Sequence, residues 1–265
     1  MTILDTIVAQ KTIEVAEQQS KIAIAELEQS RFFKLPSLSL KSNLQDSSKT
    51  GIIAEFKRKS PSKGIINGIA TVEDVTMAYT QFGAAGISVL TDDAFFGGNL
   101  TDLEAATINQ IPLLRKDFMI SEYQIIEAKA SGASVILLIA ACLSASQVKQ
   151  FSRLAHQLGL EVLLEIHDDT ELDHICDEVD LVGVNNRNLK NFEVNIDISL
   201  GLINQIPTSI PAIAESGIDH PNTIVTLQKA GFAGFLIGER FMRETNPSFA
   251  FANFVNDLKT KQNEG

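Results

Sequence analysis

Eight short apolar runs, each followed by a stretch with helical patterning, constrain this chain more than any other feature of its 265 residues. The runs are GIIAEF (51–56), ISVL (87–90), PLLR (112–115), SVILLI (134–139), EVLLEI (161–166), DLVGV (180–184), IPAIA (210–214) and GFLIG (234–238). None alternates cleanly between apolar and polar residues, the pattern expected of strands covered on both faces. The segments between them carry readable helix ends. Ser121 with Gln124, and Ser144 with Gln147, have capping-box spacing. Gly83, Gly159 and Gly231 follow Phe82, Leu158 and Ala230 as C-terminal stops. Val148, Phe151, Leu154, Ala155 and Leu158 form one apolar face at helical spacing.

Strands alternating with helices imply a parallel sheet with right-handed crossovers. Eight such units in roughly 200 residues fit a closed barrel. A doubly wound sheet would more comfortably hold six strands, and no G-x-G-x-x-G follows the first strand. The expected fold is α/β, a single eight-stranded parallel β/α (TIM) barrel over residues 49–265. Residues 1–48 are set apart as an N-terminal helical extension. Ile3, Ile7, Val8, Ile22 and Leu27 predict two helices there, and the polar, serine-rich stretch 37–50 predicts a linker.

Composition narrows the partners. The net charge of −11 argues against nucleic acid, whose phosphates reward basic surfaces. An acidic chain still holds an anionic ligand if its few cations converge. Lys57, Arg58, Lys59, Lys63, Arg115, Lys116, Arg187, Arg240 and Arg243 all follow predicted strands. Cys142 and Cys176 have neither disulfide-framework nor zinc spacing, which fits a reducing compartment. The opening MTILDTIVAQKT carries Asp5 and lacks the apolar core of a signal peptide. The longest apolar run, 135–143, is too short to span a bilayer. The expectation is a cytoplasmic chain with no membrane partner.

In such a barrel the chemistry lies at the carboxyl ends of the strands. Reading those ends in order gives Glu55 with Lys57, Thr91 with DDAFFGG, Lys116 with Asp117, an apolar exit from the fourth strand, Glu165, Asn185 with Arg187, Glu215 with Ser216 and Gly217, and Gly238 with Glu239. Strand parity gives Glu55 and Lys57 one face and Phe56 the other. The same parity relates Leu114 to Lys116, Leu163 to Glu165, Gly183 to Asn185 and Ile213 to Glu215. Lysines and carboxylates converging in a partly desolvated cavity shift one another's pKa toward values useful for acid–base work, and a lysine acting as acid near neutrality needs its pKa held down. Any one of these residues alone would pass as a structural ion pair; a ring of them marks a site. Ser216–Gly217 and Gly238–Glu239, just before predicted helices, offer small residues and backbone N–H groups suited to a phosphate. His156, His167, His174 and His220 form no metal constellation, and His167 reads as local capping at a helix start.

The blocks IIAEFKRKSPSKG, SVLTDDAFFGG, LLRKDFMI, LLEIHD, VGVNNRNL, AESGI and LIGERFM, in this order, resemble the indole-3-glycerol-phosphate synthase family of tryptophan biosynthesis. The resemblance covers almost the whole barrel and extends to the N-terminal segment. KRKSPS and LLRKDF together are specific, whereas a glycine-rich terminal loop is shared by many phosphate-binding barrels. It implies a carboxy-lyase acting on 1-(2-carboxyphenylamino)-1-deoxyribulose 5-phosphate, with loss of carbon dioxide and water as the indole ring closes. On this resemblance Lys116 is the general acid at the ketone oxygen and Glu165 the general base of dehydration. Lys57 holds the substrate carboxylate, and Glu55, Asn185 and Glu215 are polar partners. Ser60, Ser216, Gly217, Gly238 and Glu239 form the phosphate site, Phe96 and Phe118 pack on the anthranilate ring, and Arg187 belongs to the binding set. Arg115, of opposite parity, is structural.

The resemblance calls for no nicotinamide, flavin, pyridoxal or metal, and it implies an N-terminal segment that helps cover the barrel mouth. It leaves room for transient contact with other tryptophan-pathway enzymes. The chain departs from the family at INGIA, where an arginine and an acidic residue are frequent, and at Glu239, often serine or threonine. Two other readings remain. Phosphoribosylanthranilate isomerase commonly uses a cysteine and an aspartate, and no cysteine here ends a strand appropriately. A non-catalytic phosphosugar-binding barrel would need the phosphate loops but not Lys116 with Glu165.

Overall fold

A computed structural model of the chain describes residues 2–189 and 192–263. Its eight barrel strands are β1 (Ile52–Phe56), β2 (Gly86–Leu90), β3 (Leu113–Lys116), β4 (Val135–Ile139), β5 (Glu161–Ile166), β6 (Leu181–Asn185), β7 (Ala212–Glu215) and β8 (Gly234–Ile237). Each pairs in parallel with its neighbours, and β8 closes on β1 through Ile52 opposite Phe235 and Ala54 opposite Ile237. All eight apolar runs of the sequence are therefore strands. A two-stranded hairpin, Lys59–Ser60 with Gly64–Ile65, stands on the loop after β1.

Period-two alternation divides the apolar residues between two cores. Ile53, Leu114, Leu137, Leu163, Ile213 and Leu236 point inward and fill the barrel. Their neighbours, such as Ile52, Ala54, Ile136, Leu164 and Val182, point outward and pack under the helices. Fully burying one such side chain contributes about 1.5–3 kcal/mol before conformational entropy is counted. The helices end where the glycines require: Gly83, Gly159 and Gly231 all have positive φ. Ser144 and Gln147 form a complete capping box on Ala145–Gln157. Ser121 and Gln124 do not. Ser121 caps the amide of Tyr123, and the Gln124 side chain turns back to the Ile120 amide and the Phe118 carbonyl. The crossover from β5 to β6 carries a 3₁₀ helix, Asp169–His174, in place of an α-helix.

The segment before β1 holds three helices: α1 (Ile3–Lys21), Ile24–Leu27 and Leu40–Gln45. The stretch expected to be a linker is thus partly helical and partly core. Leu40 is buried inside the amino end of the barrel, in one cluster with the inward residues of seven strands, with Leu44 packed beside it. Ser39 caps this helix, and Glu161 accepts the Ser39 hydroxyl and the amides of Leu40 and Lys41. The carboxylate thereby satisfies amides that the helix itself leaves open. At the opposite end, α1 starts with a Thr2–Asp5 capping box and places Lys11 between Asp92 (2.8 Å) and Asp117 (3.0 Å). No helix among the described residues is long and apolar enough to cross a membrane.

Candidate active site

The strand ends converge on a cavity of about 990 Å³, measured with its open mouth. Glu55, Lys57, Ser60, Phe96, Lys116, Phe118, Glu165, Asn185, Arg187, Glu215, Ser216 and Glu239 line it, so of the fourteen residues singled out from sequence only Gly217 and Gly238 stand outside the lining. One side is charged. The ammonium of Lys116, at the end of β3, lies 2.7 Å from Glu165 Oε2 on β5 and 3.4 Å from Glu215 Oε2 on β7. Asn185 Nδ2, at the end of β6, donates to Glu165 Oε1 at 3.1 Å. Lys57 Nζ sits 2.8 Å from Glu55 Oε1. The other side is apolar. Phe96 and Phe118 stand 6.1 Å apart between ring centroids, and Leu137, Ile139, Leu189 and Phe192 extend this wall.

Glycines make room for the carboxylates. A Cβ on Gly183 would lie 2.2 Å from Glu215 Oε1, and one on Gly238 would lie 2.6 Å from Glu55 Oε1. Both positions therefore exclude a side chain while the acids keep their places. Ser216 occupies the left-handed region at φ 66°, which costs a non-glycine residue about 1–3 kcal/mol. Buried Asn186 holds that loop, donating to the Ser216 carbonyl at 3.1 Å while its oxygen accepts from Ser199. Gly238 is the N-cap of the short helix Glu239–Met242. Ser216–Gly217 do not adjoin a helix start as expected, since the next helix begins at Pro221. Ser60 Oγ is buried without a hydrogen-bond partner among the described residues, an unspent polar atom in the cavity wall.

The electrostatics separate the two carboxylates around Lys116. Burial alone would raise Glu165, but Lys116 and His167 outweigh it and hold its carboxyl well below the usual range. Burial and the nearby Glu165 and Glu55 push Glu215 up to about 8, against the pull of Lys116. At neutral pH one acid is ionised and its neighbour carries a proton, the division of labour that acid–base chemistry uses. Lys116 departs from expectation. Burial pulls its pKa down, but Glu165, Glu215 and Glu55 together raise it, so the ammonium is fully loaded with its proton rather than poised near neutrality.

The expected convergence of cations is narrower than the sequence suggested. Lys57, Lys116 and Arg187 face the cavity. Arg58 pairs with Asp102, Lys59 reaches the Ala94 carbonyl, Arg240 pairs with Glu244 and Arg243 lies near Asp219. Arg115 turns away into a buried network with Asp117 and Glu127. Arg187 lies 3.6 Å from Glu239, so that carboxylate meets a cation at the cavity edge.

His167 is the residue whose part sequence reasoning missed. Its ring lies between two acids, with Nε2 3.2 Å from Glu165 Oε1 and Nδ1 3.2 Å from Glu171 Oε2. Burial would lower its pKa, but the two carboxylates push it up to about 10. Its backbone amide donates to Glu171 at 2.6 Å, and the cap of the following 3₁₀ helix is Asp168. The available signal was parity, because His167 lies two residues beyond Glu165. Among the described residues, no group of three or more His, Cys, Asp or Glu side chains is placed to hold a metal ion.

A closed β/α barrel with a buried lysine between two acids of opposite protonation, facing an aromatic wall, is an acid–base enzyme for a small molecule. The indole-3-glycerol phosphate synthase family model matches residues 4–254. The indole-3-glycerol phosphate synthase of Bacteroides thetaiotaomicron is 44% identical, over 97% of this chain and 99% of its own. That of Verminephrobacter eiseniae is 40% identical, over 94% and 97%. This chain belongs to the indole-3-glycerol phosphate synthase family, carboxy-lyases of tryptophan biosynthesis acting on a phosphorylated small molecule. Among solved structures, a mutant tryptophan synthase alpha-subunit from Pyrococcus furiosus superposes with a TM-score of 0.60 at 16% identity, covering 80% of this chain and 99% of that one. A thiamine phosphate pyrophosphorylase from the same organism superposes at 0.58 and 15% identity, over 84% and 98%. At those identities the likeness is one of fold alone.

Proposed function

We propose that Lys116 and Glu165 carry the conversion of 1-(2-carboxyphenylamino)-1-deoxyribulose 5-phosphate to indole-3-glycerol phosphate, carbon dioxide and water. The observation that carries this reading is the Lys116 ammonium, 2.7 Å from Glu165 and 3.4 Å from Glu215 in a cavity lined by both charged and apolar residues. Lys116 gives its proton to the ketone oxygen as the ring carbon bearing the carboxylate attacks the ketone carbon. The carbon–carbon bond forms, and the bond to the carboxylate then breaks, its electron pair restoring the aromatic ring. The ring nitrogen next expels the new hydroxyl as water, protonated by a lysine of the cluster. Glu165 takes the proton from the adjacent carbon, which completes the indole. Because a carboxylate leaves as neutral carbon dioxide, each turnover takes up one proton from solvent.

Lys57 holds the substrate carboxylate beside Glu55. Asn185 orients Glu165, and Glu215 hydrogen-bonds a substrate hydroxyl. Phe96 and Phe118 pack against the anthranilate ring. Ser60, Ser216, Gly217, Gly238 and the backbone of Glu239 receive the phosphate, and Arg187 adds the nearby positive charge. The orphaned Ser60 hydroxyl and the strained Ser216 support that assignment.

Residues 1–48 act as an extension covering the barrel of residues 49–265, a reading supported by Ile3, Leu4 and Ile7 in the cavity wall. Covering excludes water from the reacting groups. The net charge supports an enzyme without nucleic-acid partners, and two free thiols support the cytoplasm as its compartment. Contact with other pathway enzymes is transient on this reading. The test uses the absence of tryptophan from the chain. Mixing enzyme and substrate with no added metal or cofactor should give rising indole fluorescence. Bound substrate without that signal would refute the catalytic reading.

A further inference from the structure

We infer that His167 is the positioning residue that keeps Glu165 a carboxylate and fixes its direction, with Glu171 holding the imidazole from the far side. The inference rests on the reading of Glu165 as the base. His167 does not line the cavity, so it acts through Glu165 rather than on the substrate.

The geometry comes first. Lys116 binds Oε2 of Glu165, whereas Asn185 and His167 both approach Oε1. Asn185 is neutral, so His167 supplies the only cation at that oxygen among the described residues. Its Nε2 is off line for a hydrogen bond at 3.2 Å, and the attraction there is one of charge. Glu171 is itself anchored, accepting the His167 backbone amide, so the ring is clamped at the end away from the site. The histidine side chain is largely buried. Cys142 also faces the two acids. Burial, then Glu165 and Glu171, push its thiol up to about 12, so it brings no charge at working pH.

The charge balance of the cluster points the same way. With Glu215 protonated, the carboxylates left are Glu55, Glu165 and Glu171, and the cations are Lys57, Lys116 and His167. Without a charged His167 the buried cluster would hold an excess anion, and burial of an unbalanced charge is met by taking up a proton. The carboxylate with the most to lose is Glu165, whose service as a base depends on being empty. His167 therefore matters most when the Lys116 proton has been given to the substrate and Glu165 has lost its other partner's charge.

Two experiments test this. Nitrogen-15 NMR of the imidazoles, simplified by there being four histidines, should show His167 with protons on both ring nitrogens at pH 8. A ring that titrates near the ordinary value of about 6.5 would overturn the inference. In the glutamine variant, His167→Gln, kcat should fall about tenfold with KM within about twofold, since a displaced base costs rate rather than binding. The acid limb of its kcat profile should move up by about half a pH unit or more. An unmoved pH profile and kcat would sink the idea. If that variant does not fold, Glu171→Gln should lower the ring's titration midpoint in its place, and an unchanged midpoint counts against the clamp. Glu165→Gln separates the two readings. Full turnover there refutes Glu165 as the base, whereas an inactive variant whose His167 titration midpoint is unchanged from the parent refutes only the present inference, because a ring coupled to Glu165 must titrate lower once that charge is gone.

Discussion

Replacing Lys116 with methionine removes the one ammonium that touches both central acids while keeping most of its volume. Its nitrogen is 2.7 Å from Glu165 and 3.4 Å from Glu215, and the lysine side chain is only 15% exposed. At an effective dielectric of 20, a unit charge pair at that shorter distance is worth about 6 kcal/mol as an upper bound, and breaking a buried pair from one side typically costs about 3–5 kcal/mol. Glu215 is already neutral below about pH 8, so the charge left stranded is that of Glu165. The variant avoids part of the cost by protonating Glu165, which disables the base as well as removing the acid.

Turnover in Lys116→Met should therefore fall by about 10³-fold or more, beyond the loss of one proton-transfer group. Binding of a substrate analogue with the ketone reduced to an alcohol should change by less than about threefold, because the phosphate and ring contacts remain. Stability should respond to pH in a set direction. In the native chain the Glu165 pKa is below its unfolded value of about 4.3, so its contribution is present above that pH and lost only as pH falls through the folded pKa. In the variant the folded pKa rises above the unfolded one, and stability is lost as pH climbs from about 4.3 toward the new value. Indole fluorescence, calorimetric titration of the analogue and melting curves at pH 5 and 8 read the three quantities. A variant turning over within tenfold of the parent, or one whose melting deficit is the same at both pH values, would refute the reasoning.

Glu215→Gln fixes the neutral form of that acid, so the native fall in stability between about pH 4.3 and 8 should be shallower in the variant, and parallel melting curves would count against a raised Glu215. Gly238→Ala drives a methyl to within 2.6 Å of the Glu55 carboxylate, with an expected cost of about 1–3 kcal/mol in thermal melting and a higher KM through the displaced Lys57. Lys11→Met takes the ammonium from buried Asp92, while Asp117 keeps Arg115, which should cost about 3–5 kcal/mol and speed amide exchange within α1 well before the barrel strands exchange.

The barrel was legible because its signal is repetition: eight apolar runs, several of them flanked by a glycine stop or a helix cap, leave few alternative architectures. The site was legible through parity, since Lys116, Glu165, Asn185 and Glu215 each continue an inward-facing row. The protonation pattern was not, because it depends on which acids crowd one lysine across the barrel, and that distance is a property of closure. The raised pKa of Lys116 is the clearest case. The buried helix Leu40–Gln45 was hidden by its polar surroundings, although Leu40 and Leu44 are spaced one turn apart. Arg58, Arg240 and Arg243 misled for the converse reason, since following a strand does not decide whether a long side chain turns inward or across the rim.

Leu40 and Leu44 stopper the amino end of the barrel, and this has a consequence for how the chain comes off the ribosome. The stopper is made first, whereas its socket is finished last: Leu40 clusters with inward residues of β1 and of β3 to β8, and Leu44 packs beside Gly234, the first residue of the final strand. Until about that residue has emerged, both leucines lack the surface that buries them. The nascent chain thus carries an unsatisfied apolar plug through most of its synthesis, a stretch on which a holding chaperone would act and at which a truncated product would aggregate.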